Sequence, residues 1–188
     1  MPLEHCILVR IQVPEPTKSP PNGGDFDLSI DSSTLGHMLE FRIVPKADFR
    51  HLAPITQSSG VCFDEQGRIL LLKQEGRKWN IPGGTPEGNE TSEETLRREV
   101  YEETTVRLGL CEPIAYQEVL EDGVVAKYQV RFACLIDSIE PQKPDPDKGS
   151  IHERAFIEPQ LVMDYIEYPQ FKQLFELAVK WYEGGRRS

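Results

Sequence analysis

Three glutamates are crowded near the end of one predicted helix. The helix runs from about Thr91 to Thr104, and Glu99, Glu102 and Glu103 fall within its last two turns. Offsets of three and four residues place the three carboxylates on a common face. Because the carboxylates face the negative end of the helix dipole, each costs about 0.3–1 kcal/mol. A solvated acidic surface and a site for a hard divalent cation both fit this pattern.

The spacing of charged residues and glycines around this helix decides between the two interpretations. Five residues separate Gly84 from Glu90, and seven separate Glu90 from Arg98. The stretch resembles the box of the Nudix hydrolases, G-x5-E-x7-R-E-(apolar)-x-E-E-x-G-(apolar), and residues 79–84, W-N-I-P-G-G, resemble the segment that precedes that box. The matching charged and glycine positions are Gly84, Glu90, Arg98, Glu99, Glu102 and Glu103.

One position departs from the family pattern. Thr105 stands where the family has a glycine, just after the helix. A glycine there would adopt a left-handed backbone, which costs a β-branched residue about 1–2 kcal/mol. Either the helix ends differently in this chain or the strain is tolerated.

The resemblance implies a hydrolase that uses Mg²⁺ or Mn²⁺ to cleave the pyrophosphate bond of a nucleoside diphosphate linked to another moiety. It assigns metal binding and catalysis to Glu99, Glu102 and Glu103, with the backbone carbonyl of Gly83 as a further metal ligand. Glu153, in a later loop, is a candidate to complete the metal set. Which glutamate accepts the proton of the attacking water stays open.

Other residues receive supporting roles from the same resemblance. Glu90 and Arg98 would form an ion pair that braces the loop against the helix, and Gly84 would let the loop approach it closely. Arg77 and Lys78 are candidates to meet substrate phosphates, although ordinary solubilising charge explains them equally well. His152 could be a second base, but a lone histidine is more often a surface residue.

Local patterns predict the elements that must position these residues. Thr91 with Glu94 forms a capping box that fixes the start of the acidic helix. Apolar residues at three- and four-residue spacing predict a second helix over 170–183. Predicted strands cover 55–63, 68–73, 114–120, 124–136 and 154–157, and residues 137–150 form a long loop. This order is compatible with the fold that the resemblance implies, which is α+β, a Nudix-like α/β/α sandwich with a mixed β-sheet.

The first part of the chain lies outside the resemblance. Residues 1–53 are predicted to form an N-terminal extension and residues 54–188 the Nudix hydrolase domain. Strands are expected near 3–13 and 37–44, separated by a loop rich in proline and glycine at 14–25. The extension could add strands to the sheet, mediate a homodimer or cover the substrate pocket.

The amino-acid composition disfavours several classes of binding partner. With 21 basic and 31 acidic residues, the formal net charge is −10, which disfavours a long nucleic acid and an anionic membrane surface. No apolar run approaches the roughly 20 residues of a membrane span, and no secretory signal is evident. We therefore expect a cytoplasmic protein that acts on a small nucleotide-diphosphate substrate.

Two other functions compete with hydrolysis. A non-catalytic Nudix-like domain could sense a nucleotide without cleaving it, but such domains usually lose carboxylates of the box, and none is lost here. A protein-interaction module would use the acidic face only as surface. Saturable binding of a divalent metal would separate this last alternative from the others.

Overall fold

The computed structural model describes residues 8–12, 38–45 and 48–185, which form one β-sheet with helices on both faces. The strands are β1 (Leu8–Gln12), β2 (Met38–Pro45), β3 (Ile55–Phe63), β4 (Ile69–Lys73), β5 (Gly83–Gly84), β6 (Val106–Glu121), β7 (Val124–Ile139) and β8 (Glu153–Ile157). The helices are α1 (Ser92–Thr104), α2 (Val162–Tyr165) and α3 (Phe171–Gly185), with a 3₁₀ turn at Pro159–Leu161. Within the described ranges, no helix has the length and apolar character that crossing a membrane requires.

The sheet has the order β1-β2-β6-β7-β3-β4-β8, with the short β5 alongside β3. Strands β3 and β7 run parallel, whereas the other named pairs are antiparallel. This mixed sheet between helices confirms the predicted α+β sandwich.

Side chains of the central strands alternate between two apolar clusters, one on each face of the sheet. On one face, Leu96 and Val100 of α1 pack with Phe132 of β7. On the other face, Leu174 of α3 packs with Val61 of β3. The acidic helix is therefore fixed to the sheet by the apolar stripe that it buries.

Part of the predicted extension contributes strands to this sheet. Strand β2 pairs with β6, and β1 pairs with β2. Ile43 is fully buried, and the Arg42 guanidinium lies 3.1 Å from the Glu118 carboxylate. The proline- and glycine-rich loop at 14–25 lies outside the described residues, as do residues 3–7 and 13 of the first predicted strand.

Two central strands are longer than the sequence predicted. Strand β6 begins at Val106 rather than at residue 114, and β7 continues to Ile139 rather than ending at residue 136. Gly109 and Pro113, which usually end strands, lie inside β6 where the pairing register shifts. Such bulges accommodate residues that a regular ladder would exclude. The single-turn α2 was not predicted because four residues are too few for a periodic signal.

Helix α1 begins and ends as its terminal residues require. The Thr91 hydroxyl accepts a hydrogen bond from the Glu94 N–H at 3.2 Å, and the Glu94 carboxylate accepts one from the Thr91 N–H at 2.8 Å. The predicted capping box is therefore confirmed.

Thr105 retains the left-handed backbone that a glycine would adopt. Its φ is 55° and its N–H donates to the Tyr101 carbonyl at 2.8 Å. The side chain offsets the strain, because the Thr105 hydroxyl donates to the Glu140 carbonyl at 3.1 Å and accepts from Arg154 at 2.9 Å. The helix exit is thus unchanged, and the strain is tolerated because Glu140, just after β7, and Arg154 of β8 bind the threonine.

We expect Thr105→Ala to be less stable than both the wild-type protein and Thr105→Gly. Alanine keeps the strained backbone but loses the hydroxyl bonds, at about 1–2 kcal/mol, whereas glycine removes about 1–2 kcal/mol of strain. Urea unfolding at pH 7 measures the order of the three free energies. An alanine variant as stable as the glycine variant would contradict this account of the helix exit.

Candidate active site

Glu103 lies on the buried stripe of α1, although it is an acid. It follows Leu96 and Val100 at helical spacing and is only 7% exposed. The Gly83 N–H donates to Glu103 Oε2 at 3.0 Å, and the Gln74 side-chain amide donates to Oε1 at 3.0 Å. Burial raises the pKa of Glu103. The carboxylate is thus removed from water and held by donors from two loops.

Arg98 binds three of the glutamates that match the family pattern. Its Nε and Nη2 donate to the two oxygens of Glu90 at 2.7 and 3.0 Å. Its Nη1 donates to Glu99 at 3.1 Å and to Glu102 at 3.0 Å, and Nη2 also donates to the Thr85 carbonyl at 3.0 Å. The structure therefore places a bidentate Glu90–Arg98 pair between α1 and the segment around Gly83 and Gly84, here named the glycine loop. Glu99 and Glu102 accept hydrogen bonds from the same guanidinium.

The glycine loop is pressed between β3 and α1. Gly83 and Gly84 pair with Ser59 and Ser58 of β3. A Cβ at Gly84 would lie 2.2 Å from Cδ of Glu99, and a Cβ at Gly83 would lie 2.3 Å from the Ser58 carbonyl oxygen. Only glycine at these two positions allows the loop to approach β3 and the Glu99 carboxylate this closely.

The donors of this site suit a hard divalent cation, which prefers oxygen ligands and often needs only one or two carboxylates. Burial raises the pKa of both Glu99 and Glu103. Such a rise is typical of carboxylates that have lost water without gaining a full positive counter-charge. Among the described residues, however, no three acidic, histidine or cysteine side chains are already arranged around a metal position. Arg98 donates hydrogen bonds to two of the carboxylates, so a metal cation would have to displace the guanidinium in order to bind them.

The other predicted ligand, Glu153, lies at the first residue of β8. Its side chain is 67% exposed, and Oε1 lies 3.3 Å from Nζ of Lys73 on the neighbouring β4. Its role as a metal ligand stays a prediction.

The predicted phosphate-binding residues lie on an exposed turn after β4. Arg77 is exposed, and its N–H closes the turn on the Gln74 carbonyl at 2.9 Å. Lys78 forms an ion pair with Glu167, before α3. Gln74, at the start of this turn, contacts Glu103. Sequence reasoning did not identify this residue.

His152 was predicted to be a surface residue, and this is wrong. It is 3% exposed, and its Nε2 lies 2.9 Å from Oδ2 of Asp145, which is equally buried. The sequence D-P-D-K-G-S at 145–150 is a turn signal that could have indicated a fixed partner in this loop. The same turn brings Lys148 to the active site: its Nζ lies 3.7 Å from Glu103 Oε1.

A buried arginine behind the glycine loop was also missed. Arg131 of β7 is 2% exposed, and it donates to the Ser59 hydroxyl at 2.7 Å and to the amide oxygens of three glutamines. These glutamines are Gln57, Gln117 and Gln129. Burial lowers the pKa of Arg131, because these partners are neutral. The arginine ties β3, β6 and β7 together directly beside the residue that pairs with Gly83.

The Glu90–Arg98 pair should make the free energy of unfolding depend on pH. The guanidinium lowers the pKa of Glu90 from its ordinary 4.5 to about 2, so the stabilisation is full above pH 4.5 and is lost as the pH falls towards 2. We expect Glu90→Gln to lower the urea midpoint at pH 7, with a difference from wild type that vanishes near pH 2. The control Glu93→Gln removes an exposed pair with Arg97 and should change little. A difference that does not vary with pH would refute the role of this pair.

Alanine substitutions in the glycine loop should separate backbone crowding from side-chain crowding. Gly83→Ala drives a Cβ into backbone, so we expect a loss of about 1–3 kcal/mol in the free energy of unfolding. Gly84→Ala meets only the movable end of Glu99 and should cost less while displacing that carboxylate. Gly88→Ala, with φ of 53° and open space around its Cβ, measures backbone strain alone. Urea unfolding that ranks Gly84→Ala as the most damaging of the three would contradict this geometry.

Known proteins resemble parts of this chain. Residues 56–177 match the NUDIX domain family. The chain is 36% identical over 69 residues to a MutT-like protein of Streptomyces ambofaciens, covering 36% of this chain and 45% of that relative. It is 32% identical over 95 residues to the 8-oxo-dGDP phosphatase NUDT18 of Mus musculus, covering 45% of this chain and 28% of that protein. The chain thus spans less than half the length of each of these relatives.

Solved structures share the fold. A mutant of a Bacillus subtilis pyrophosphohydrolase superposes with a TM-score of 0.55 at 22% identity, covering 72% of this chain and 91% of that chain. A MutT structure from a study of Aliivibrio salmonicida and Vibrio cholerae gives 0.50 at 15% identity, covering 66% and 94%. Since the family match covers more than half of the sequence and includes the glycine loop, α1 and the first seven residues of α3, this chain belongs to the NUDIX domain family.

Proposed function

We propose that the chain is a Mg²⁺- or Mn²⁺-dependent hydrolase that cleaves the pyrophosphate bond of a nucleoside diphosphate linked to another moiety. The observation that carries this proposal is the buried Glu103 carboxylate, which lies beside Glu99 and Glu102 and against the glycine loop. A purely structural helix would not bury an acid at its negative end.

Glu99, Glu102 and Glu103 would hold the cation, together with the Gly83 carbonyl and Glu153. The bound cation would neutralise charge on the diphosphate and make water a better nucleophile. The protein itself orients the donors: the Gly83 N–H and Gln74 fix Glu103, while Arg98 aligns Glu99 and Glu102. One of the three glutamates, or a glutamate of another loop, would accept the proton of the attacking water.

The relatives narrow the first substrates to test. One is named as an 8-oxo-dGDP phosphatase, so oxidised deoxynucleoside diphosphates belong in the panel beside nucleotide sugars and dinucleotides. The small substrate is consistent with the acidic net charge, which disfavours long nucleic acids.

A non-catalytic domain that senses a nucleotide is the second candidate. Such a domain would bind a nucleotide but form no product. It is disfavoured because these domains usually lose carboxylates of the box, and this chain keeps all of them. The third alternative, an acidic face that is only surface, is disfavoured by the 7% exposure of Glu103.

We also propose that residues 54–188 form the hydrolase domain and that residues 1–53 are an extension. The family match begins at residue 56, while β1 and β2 add to the edge of the sheet beyond β6. A contribution of this extension to a homodimer can be tested by light scattering of the full chain, and a cytoplasmic location by microscopy of the tagged chain.

Glu102→Gln and Glu103→Gln should each lower hydrolysis by about 10²–10⁴-fold while leaving the fold intact, because a glutamine keeps the shape and an acceptor oxygen. Chromatographic detection of the nucleoside monophosphate formed from each substrate of the panel, with Mg²⁺ and with Mn²⁺, measures the loss. Chelation should abolish turnover in the wild-type protein, and added cation should restore it.

The matched control is Glu93→Gln, on the same helix but half exposed and paired with Arg97. It should turn over like the wild type, and all variants should unfold at similar urea concentrations. Unchanged turnover in both active-site variants would overturn the assignment. Nucleotide binding by the wild-type protein without formation of any nucleoside monophosphate would favour the sensing domain.

A further inference from the structure

The loop between β7 and β8 contains a compact turn at residues 145–150, here named the Asp145 turn. Oδ1 of Asp145 accepts from the N–H groups of Asp147 and Lys148 at 2.8 and 3.1 Å. The Asp145 carbonyl accepts from the Gly149 N–H at 2.7 Å, and its N–H donates to the Ser150 carbonyl at 2.9 Å. These bonds fix the backbone that carries Lys148.

A buried pair anchors this turn to the protein. The second carboxylate oxygen of Asp145 lies 2.9 Å from Nε2 of His152, and both side chains are 5% exposed or less. The Gln142 amide donates to the His152 carbonyl at 2.7 Å. Although burial opposes it, the hydrogen bonds from His152 and the backbone lower the pKa of Asp145. A loop that only connected two strands would not need a buried polar anchor, because loops usually keep their polar groups in water.

The ammonium of Lys148 is positioned by this turn but is not fully bound. Nζ lies 3.6 Å from Asp145 Oδ2 and 3.7 Å from Glu103 Oε1, both beyond the usual length of a hydrogen bond. The side chain is 46% exposed, so water or a ligand can reach it. A lysine ammonium has three donors on a flexible stem and is a common partner of phosphate.

We propose that Lys148 is a substrate-binding residue whose ammonium contacts the diphosphate beside Glu103, and that the Asp145–His152 pair positions it there. The inference rests on the proposed function, because it supposes that a diphosphate occupies the site next to Glu103. A cation bound by Glu103 weakens the attraction between that carboxylate and Lys148, and the ammonium then has an anionic partner in the phosphate. Lys148 thus adds a phosphate contact that the glutamates and glycines of the box do not supply.

A simpler role for Lys148 is to offset the buried charge of Glu103 in the metal-free protein. The two roles differ in what a neutral side chain would change. Loss of a phosphate contact weakens diphosphate binding even when the metal site is full. Loss of charge compensation alone changes metal binding or stability and leaves diphosphate binding intact.

The test uses methylenediphosphonate, a diphosphate analogue that cannot be hydrolysed, titrated by calorimetry into the full chain at saturating Mn²⁺. We expect Lys148→Met to weaken its affinity by about tenfold or more, as for a hydrogen bond to a charged group, and Lys148→Arg to retain most of it. The matched control is Lys143→Met, an exposed lysine of the same loop that lies 3.6 Å from Glu140. Its affinity should equal that of the wild type.

Mn²⁺ affinity without the analogue, measured by electron paramagnetic resonance, supplies the second readout. We expect Lys148→Met to bind Mn²⁺ as well as or better than the wild type, because the ammonium competes with the cation. Equal diphosphonate affinity in Lys148→Met and wild type, or no binding by the wild type, overturns the inference.

A double-mutant cycle tests the positioning role of the Asp145 turn. Asp145→Asn should weaken diphosphonate binding, and the double variant with Lys148→Met should lose little more than Lys148→Met alone. Fully additive losses overturn this part. If the wild type binds the analogue through Lys148 but hydrolyses nothing, the hydrolase proposal falls and this inference stands. If the wild type hydrolyses substrate and Lys148→Met behaves like it in both assays, this inference falls alone.

Discussion

The burial of one carboxylate organises the region around α1. An ionised acid taken from water without partners costs far more than a typical fold can spare, so it must be met by donors or by cations. Glu103 receives them from three separate segments: Gln74 after β4, the Gly83 N–H of the glycine loop, and Lys148 of the Asp145 turn. The positions of these segments are therefore linked through a single side chain.

Arg98 of α1 and Lys148 of the Asp145 turn both lie beside the carboxylates of the site, and their geometry gives them opposite roles. Arg98 is largely buried and makes a bidentate pair with Glu90, so its planar guanidinium is held at a fixed place. Lys148 is half exposed and lies beyond hydrogen-bond distance from both of its acidic neighbours. An anionic ligand can therefore recruit Lys148 without breaking a strong contact, whereas moving Arg98 would release Glu90 and loosen the glycine loop.

Local signals predicted the parts of the site that depend on neighbours in sequence. The capping box at Thr91 and the limits of α1 agree with the structure, because each depends on short-range periodicity and on hydrogen bonds within a few residues. The mixed sheet also agrees, but it was expected from the family resemblance. The contacts that sequence reasoning missed join distant segments. Gln74 and Glu103 are 29 residues apart, and Arg131 and Ser59 are 72 residues apart.

His152 also shows that local sequence signals do not predict contacts formed by tertiary structure. A lone histidine carries no local signal of burial, and only the turn around Asp145 supplies its partner. The length of β6 was underestimated for a related reason: Gly109 and Pro113 read as breaks, while pairing with β7 tolerates both through bulges. Residue types set local preferences, and tertiary pairing decided these cases.

The end of α1 explains how the helix tolerates its acids. None of the residues in its last turn is basic, although a cation there would stabilise the free carbonyls. Arg154 of β8 supplies one from outside, since its guanidinium donates to the Thr104 carbonyl and the Thr105 hydroxyl. Placing the cation on a neighbouring strand leaves the helix face free for carboxylates. The antiparallel pairing of β4 with β8 sets Arg154 opposite Leu72, so the strand pair that leads to Gln74 also stabilises the helix end, and both contacts depend on one register.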